Sequence, residues 1–291
     1  MSITRFRPEI WSANLLVALR KQLVYAGPGV VNRDYEGDIQ AAGDTVRITS
    51  ISDPTIGTYS ANTTAIAPEE LTDAQRTLVV DQAKYFAFFV DDVDQRQAKG
   101  NVIPQAMQRA AYKLADTIDQ YVAGLYTGAQ ASNVLGSTGS PVLVGPTTDT
   151  GKTLAYDSVL VPLRTKLARA NVPTEGRFVI ISPEFHARLL LDSRFIKVNE
   201  AGTDTGLRNG MVGRAAGFDI IESNNVPNPT GNVHVLTAGT NMSISFAEQI
   251  NKTEAYRPEA KFADAVKGLT LYGAKLLRPE GLGVAYVDAI T

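Results

Sequence analysis

The 291-residue chain contains two histidines, His186 and His234, and no cysteine. Without cysteine there are no disulfides, thiolate-held zinc ions or thiol nucleophiles. One trio, Ser182, Glu184 and His186, has the residue types of a hydrolase. Its order is that of a helix start, with a capping serine, then Pro183 at the first helical position and Glu184 in the first turn. A capping hydroxyl is already engaged with a backbone N–H, so no nucleophile is assigned. His234 alternates with Val233 and Val235 and is expected on the opposite strand face, exposed or locally hydrogen-bonded. Asp91, Asp92 and Asp94 carry enough charge for calcium. No glycine turn and distal glutamate follow them, and they read as acids favoured by a helix dipole. Gly281-Leu282-Gly283 leads into a terminal strand with no helix after it, which is not a dinucleotide fingerprint, and no phosphate loop occurs. Asn62-Thr63-Thr64, Asn241-Met242-Ser243 and Asn251-Lys252-Thr253 match glycosylation acceptors. Residues 1–11 carry charge without an apolar signal core, so secretion by that route is not expected. No catalytic, cofactor-binding or metal residue is assigned.

The elements that would have to position such groups suggest architecture instead. Hydrophobic residues make up 44% and charged residues 20%, which excludes wholesale disorder and a coiled coil throughout. No stretch approaches the ~20 continuous apolar residues of a membrane span. The 28 basic and 30 acidic residues leave a net charge of −2, without the basic excess of a general nucleic-acid binder. The 24 glycines and 14 prolines fall largely between periodic segments, as long connections require.

Residues 1–32 read as a leader. Ser12 caps a short helix carrying Leu15, Leu16, Leu19 and Leu23, which Gly27-Pro28-Gly29 stops. Near the ~12-residue lower limit for an isolated helix, it must pack on its own domain or on another subunit. Strands are expected over 45–51 and 76–90, the second longer than the usual ~5–6 residues. Both faces of 76–90 mix apolar and charged residues: Leu78, Val80, Gln82, Lys84, Phe86 and Phe88 oppose Val79, Asp81, Ala83 and Tyr85. Residues 52–75 between the strands have no strong periodicity, and across 33–75 two arginines stand against eight acids. A ribbon of this kind cannot bury both faces in itself, so its partner surface is expected elsewhere.

The clearest helix spans 102–127, after a shorter helical stretch that ends by Lys99. Its apolar stripe is Ile103, Met107, Ala110, Ala111, Leu114, Ile118, Tyr121, Val122 and Leu125. Gln105, Arg109, Lys113, Asp116 and Asp119 take the remaining face. Another helix is expected over 156–170, with Pro162 marking a late start or a kink. Strand 177–181, the helix opened by Ser182, a short helix or turn at 207–216, and strands at 217–221 and 233–237 then alternate. Strands at 242–246, 263–277 and 283–290 close the chain and are expected beside the long helix, making that domain discontinuous. Between 164 and 214 nine bases stand against five acids. An acidic ribbon and a basic lobe on identical copies attract in trans, a heterologous contact that closes into rings or shells.

Several segments together resemble the major capsid proteins of tailed bacteriophages with the Hong Kong 97 fold. These are Phe6-Arg7-Pro8-Glu9-Ile10-Trp11, the ribbon ending in Val90-Asp91-Asp92-Val93-Asp94-Gln95, the 102–127 helix and Ile180-Ile181-Ser182-Pro183-Glu184. Asn209-Gly210, Gly217-Phe218-Asp219-Ile220 and Asn224-Asn225-Val226-Pro227 complete the series. The likeness covers essentially the whole chain and is nearest to the branch of the phage P22 coat protein, without a block of added length for that protein's inserted domain.

The resemblance implies an α+β, Hong Kong 97-like capsid fold. Its parts would be an N-terminal arm (1–43), an extended two-stranded loop (44–90), an axial domain (174–245) and a peripheral domain in two parts (91–173, with the spine helix, and 246–291). It also implies a non-enzymatic protein without cofactors, whose identical subunits form pentamers and hexamers with scaffolding and portal proteins. The product is an icosahedral shell around double-stranded DNA, assembled in the bacterial cytoplasm and contacting the packaged DNA non-specifically. The resemblance leaves room for a decoration protein and implies no membrane. The alternative on the same fold is an encapsulin-type nanocompartment shell. Arm and loop are expected to lie on neighbouring subunits through Trp11, Leu15 and Leu19, through Ile56 and Tyr59 near the loop tip, and through the acids Glu69, Glu70 and Asp73. Some such shells bond a loop lysine to a neighbour's asparagine. Residues 45–83 contain no lysine, the first after Lys21 being Lys84, so that crosslink is not expected.

Overall fold

The computed structural model describes residues 24–34, 45–51, 54–58, 60–61, 73–91, 102–145, 152–191, 213–260 and 262–289. Among them the chain forms an isolated ribbon, a three-stranded sheet and a seven-stranded sheet. The ribbon pairs β1 (Thr45–Ile51) with β2 (Asp73–Val79), antiparallel, Thr45 opposite Val79 and Ile51 opposite Asp73. In the three-stranded sheet β11 (Ala263–Leu276) lies between β10 (Ile244–Tyr256) and β3 (Gln82–Asp91), all antiparallel.

The seven-stranded sheet holds most of the core. Its strands are β4 (Val134–Leu135), β5 (Val142–Leu143), β6 (Arg177–Ile181), β7 (Arg214–Ala215), β8 (Phe218–Glu222), β9 (Val233–Thr240) and β12 (Leu282–Asp288). They run in the order β4-β12-β9-β6-β8-β7, and β5 also pairs with β12. Every residue of β6 and β9 is buried, as in strands covered on both faces. His234 is therefore buried, at 8% exposure, and not at the surface. Alternation with two valines does not identify a wet face when neither face is wet.

Among the described residues three α-helices support the sheets. Helix α1 (Val102–Ala123) is 22 residues long, about 33 Å, and a 3-10 turn over Gly124–Gly128 finishes it. Met107 and Ala111 pack on the three-stranded sheet against Val266, Phe86 and Phe88. Leu114, Ile118 and Val122 enter the main core. One apolar stripe thus joins two sheets, as a strut must. Helix α2 (Val161–Arg169) follows a π-helical turn, Tyr156–Leu160. That wide turn accommodates Pro162, whose ring would crowd the carbonyl four residues back in a regular helix. Helix α3 (Pro183–Leu190) starts where its cap predicts: the Ser182 hydroxyl accepts a 3.3 Å hydrogen bond from the Phe185 N–H.

Two sequence expectations change. Residues 76–90 are not one strand. The chain leaves the ribbon at Val79 and enters β3 at Gln82, so the mixed faces belong to two environments. Leu78 and Val80 are buried against Ala247 and Leu271, whereas Phe86 and Phe88 face α1. The closing strands likewise do not share one destination. β10 and β11 pair with each other and with β3, while β12 returns to the seven-stranded sheet beside β9.

Candidate assembly surfaces

The ribbon starts on its own subunit and then leaves it. At its root the Val79–Val80 backbone crosses β11 over Gly273, where a Cβ would lie 2.3 Å from the Val79 carbonyl oxygen and 2.9 Å from the Val80 Cα. No residue with a side chain fits beneath that crossing. The Arg76 guanidinium donates to the Leu277 carbonyl and fixes the direction of departure. Farther out the packing stops. Residues 54–58 are all exposed, Ile56 at 95%. Of the residues expected at interfaces, Ile56 is thus an apolar side chain in solvent, and Asp73 pairs through its backbone with Ile51 at the start of β2. Trp11, Leu15, Leu19, Tyr59, Glu69 and Glu70 lie outside the described residues, as does the expected 91–99 helix beyond Asp91 and most of 207–216.

The root of the N-terminal segment is held between the strut helix and the three-stranded sheet. Asp119, expected on the wet face of α1, is 2% exposed. Its carboxylate accepts from the Val24 N–H at 2.9 and 3.2 Å and from the Ala26 N–H at 3.2 Å. Burial pushes its pKa above the ordinary carboxylate value, against the opposing pull of the Val24, Ala26 and Tyr25 N–H groups and the Asn225 side chain. Asp119 lies beside Ala115, Ile118 and Val122 on the helical wheel, so an acid on the border of the apolar stripe was the available signal. The far end is fixed by Asn32, whose N–H donates to Ile244 O at 2.8 Å and whose carbonyl accepts from Phe246 N at 2.9 Å. Arg33 donates to Ala26 O at 2.7 and 3.2 Å, lies 4.8 Å over the Phe246 ring and stands 3.7 Å from Glu248.

The hydrolase-like residues separate into structural pairs. Ser182 caps α3, His186 pairs through Nδ1 with Glu222 at the end of β8, and Glu184 stands 3.7 Å from Nε2 of His234 on β9. Each pairing ties α3 to the sheet, and none aims a base at the serine. Among the described residues no cluster of three or more histidines and carboxylates could hold a metal ion. Nor is any described helix long and apolar enough to cross a membrane.

Comparison with known proteins agrees with this picture of a chain built for contact. Residues 73–285 match the family model described as phage capsid protein. A chain from Mycobacterium phage Che8 has a similar structure, with 29% identity, a TM-score of 0.74 and 92% of each chain covered. The capsid structure of the cyanophage P-SCSP1u aligns at 18% identity and a TM-score of 0.66, over 86% of this chain and 84% of that one. The mature capsid of bacteriophage PhiM1 aligns at 15% identity and 0.66, over 89% and 88%. The last two share the fold. No curated protein matches the sequence.

Proposed function

The chain belongs to the phage capsid protein family, and on that premise we propose that it is the major subunit of an icosahedral shell enclosing the double-stranded DNA of a tailed phage, in the branch resembling the P22 coat protein. The observation that supports assembly most directly is the ribbon: its root packs, and its far part holds Ile56 in solvent, 95% exposed. In the proposed subunit 1–43 is the arm and 44–90 the extended loop, whose end from Gln82 onward lies in the three-stranded sheet. Residues 91–173 and 246–291 make the peripheral domain and 174–245 the axial domain, except that β12 goes with the axial part because it pairs with β9. Arm and loop reach neighbours in pentamers and hexamers through Trp11, Leu15, Leu19, Ile56 and Tyr59, and Glu69, Glu70 and Asp73 meet a neighbour's bases. Scaffolding and portal proteins join the assembly in the host cytoplasm, and the packaged DNA is touched without sequence preference.

Electron microscopy of the purified product tests the reading, with closed shells as the expected result. Ile56→Asp should keep the circular dichroism of the folded chain and lower particle yield by at least ~10-fold, since it places a charge in a dry contact. Charge reversal at Glu69, Glu70 and Asp73 should also impair assembly. A product that never forms particles, or shells filled with cargo protein in place of DNA, would overturn the proposal, the second outcome in favour of a nanocompartment.

A further inference from the structure

The root of the N-terminal segment and the root of the ribbon converge on one stretch of β11, residues 271–273. Leu271 lies under Leu78 and Val80 on one face of the three-stranded sheet, all three at 2% exposure or less. Gly273 lies under the Val79–Val80 crossing. Tyr272, between them, points to the opposite face, as successive strand residues do, and is buried. There its ring stacks on Phe246 of β10, with centroids 6.5 Å apart, and meets Tyr121 of α1 edge to face at 5.4 Å.

Phe246 is the residue that the N-terminal root grips. Its N–H donates to Asn32 O at 2.9 Å, and the Arg33 guanidinium lies 4.8 Å over its ring. The row Arg33, Phe246, Tyr272, Tyr121 is therefore continuous. Each step falls within the ~4.5–7 Å of an aromatic pair or the ~6 Å of a cation on a ring face. The ribbon's exit stands at the other end of the row. Tyr272 pairs in register with Gln82, the first residue of β3, and the Gln82 side chain donates to Asp81. Burial pushes the Tyr272 hydroxyl up to about 12, with Tyr121 and the Asp81 carboxylate adding to the rise. Burial and Asp81 act in the same direction on Tyr121, so one carboxylate at the ribbon's exit lies near both tyrosines.

We propose that this row, acting through residues 271–273, couples the two roots, so that seating one holds the other and freeing one loosens the other. The shared element is Tyr272. A group already immobilised by one neighbour costs less to order against a second, which is cooperativity without a change of shape. Gly273 carries the effect through the sheet. It lies so close under the crossing that a displaced Tyr272 backbone displaces the ribbon root as well. The coupling belongs to one folded chain, so it stands or falls apart from the capsid reading.

Hydrogen exchange of the intact chain reads both roots, since local opening sets the rate of each amide. Arg33→Ala removes the cation from the Phe246 ring and should speed exchange across 76–82 at least ~5-fold, the low end of ordinary coupling between sites. Leu78→Ala, on the opposite face of the sheet, should speed the amides of Val24, Ala26 and Asn32 by the same ~5-fold or more. Amides of β6 and β9 should keep the parent rate in both variants. Tyr272→Leu keeps an apolar side chain and removes the ring, and adding Arg33→Ala to it should no longer change exchange over 76–82. Roots that respond only to their own substitution overturn the proposal. So does a cross-response matched in β6 and β9, which is general loosening. A cross-response undiminished in Tyr272→Leu overturns it too, because the row then carries nothing. Should Tyr272→Leu fail to fold, the two single variants decide.

Discussion

The seven-stranded and the three-stranded sheets both contain long antiparallel pairings, and they differ in how they are completed. In the first, β6 and β9 are buried along their whole length and α2 and α3 join the same core. In the second, α1 closes the inner face, the ribbon root closes part of the outer face, and Tyr85 and Leu269 remain open. One region is satisfied by its own chain. The other is satisfied only in part, and the ribbon springing from it carries Ile56 into solvent. Damage should therefore have different consequences in the two regions. In the lobe and the strut it should cost folding, and on the ribbon it should cost assembly.

The strongest attempt to break that contrast is Leu114→Asp on α1. Leu114 is 6% exposed in the main core, where a carboxylate would have no partner. The expected cost is about 3–5 kcal/mol, a large share of the ~5–15 kcal/mol that holds a typical protein folded. Soluble chain should disappear from the lysate. Native-like soluble monomer with an unchanged spectrum would show that the strut does not carry the shared core. A milder attack falls on the joint between the regions. Gly273→Ala places a Cβ against backbone atoms of Val79 and Val80, which must move. The expected cost is about 1–3 kcal/mol, as for other overpacked sites. Limited proteolysis should then cut sooner around residues 79–82 while the seven-stranded lobe stays resistant. Uniformly faster digestion would mean that the two regions do not fail separately.

Much of this was legible in the residues because local signals and burial agree. The stripe from Met107 to Val122 has one period, one buried side and one helix. The Ser182-Pro183-Glu184 start is set by local hydrogen bonding, so tertiary context had nothing to overrule. Where context decides, the pattern misled. The 76–90 stretch reads as one long strand with mixed faces, and the backbone crossing over Gly273, nearly two hundred residues away in the chain, is what divides it. His234 alternates with valines as a wet residue would, yet α3 packs over its face of the sheet, with Glu184 3.7 Å from Nε2. The first strand of the ribbon was legible over 45–51, where β1 lies. The apolar face of Tyr85 and Leu269 was not, because only the strand register brings residues 85 and 269 together.

Asp119 tests the contrast at its finest point, since it fastens the root of the N-terminal segment to the strut. Its native pKa is raised above the ordinary carboxylate value, chiefly by burial, so the folded chain holds this proton more tightly than the unfolded chain does. Unfolding therefore releases protons in this pH range, and the stability contributed by this residue falls as pH rises. The loss runs from the ordinary carboxylate value of about 4 up to the raised native value, and is complete above it. Asp119→Asn removes the charge and keeps one carbonyl oxygen for the Val24 or Ala26 N–H, while its amide opposes the other donor. At neutral pH the change should cost about 1 kcal/mol, the net worth of one hydrogen bond. Urea unfolding at a series of pH values from about 4 to 7 should show the variant's deficit shrinking as pH rises, because only the parent chain bears the growing charge penalty. A deficit constant with pH would mean that the carboxylate titrates alike in both states, the N–H groups that hold it offsetting its burial in full.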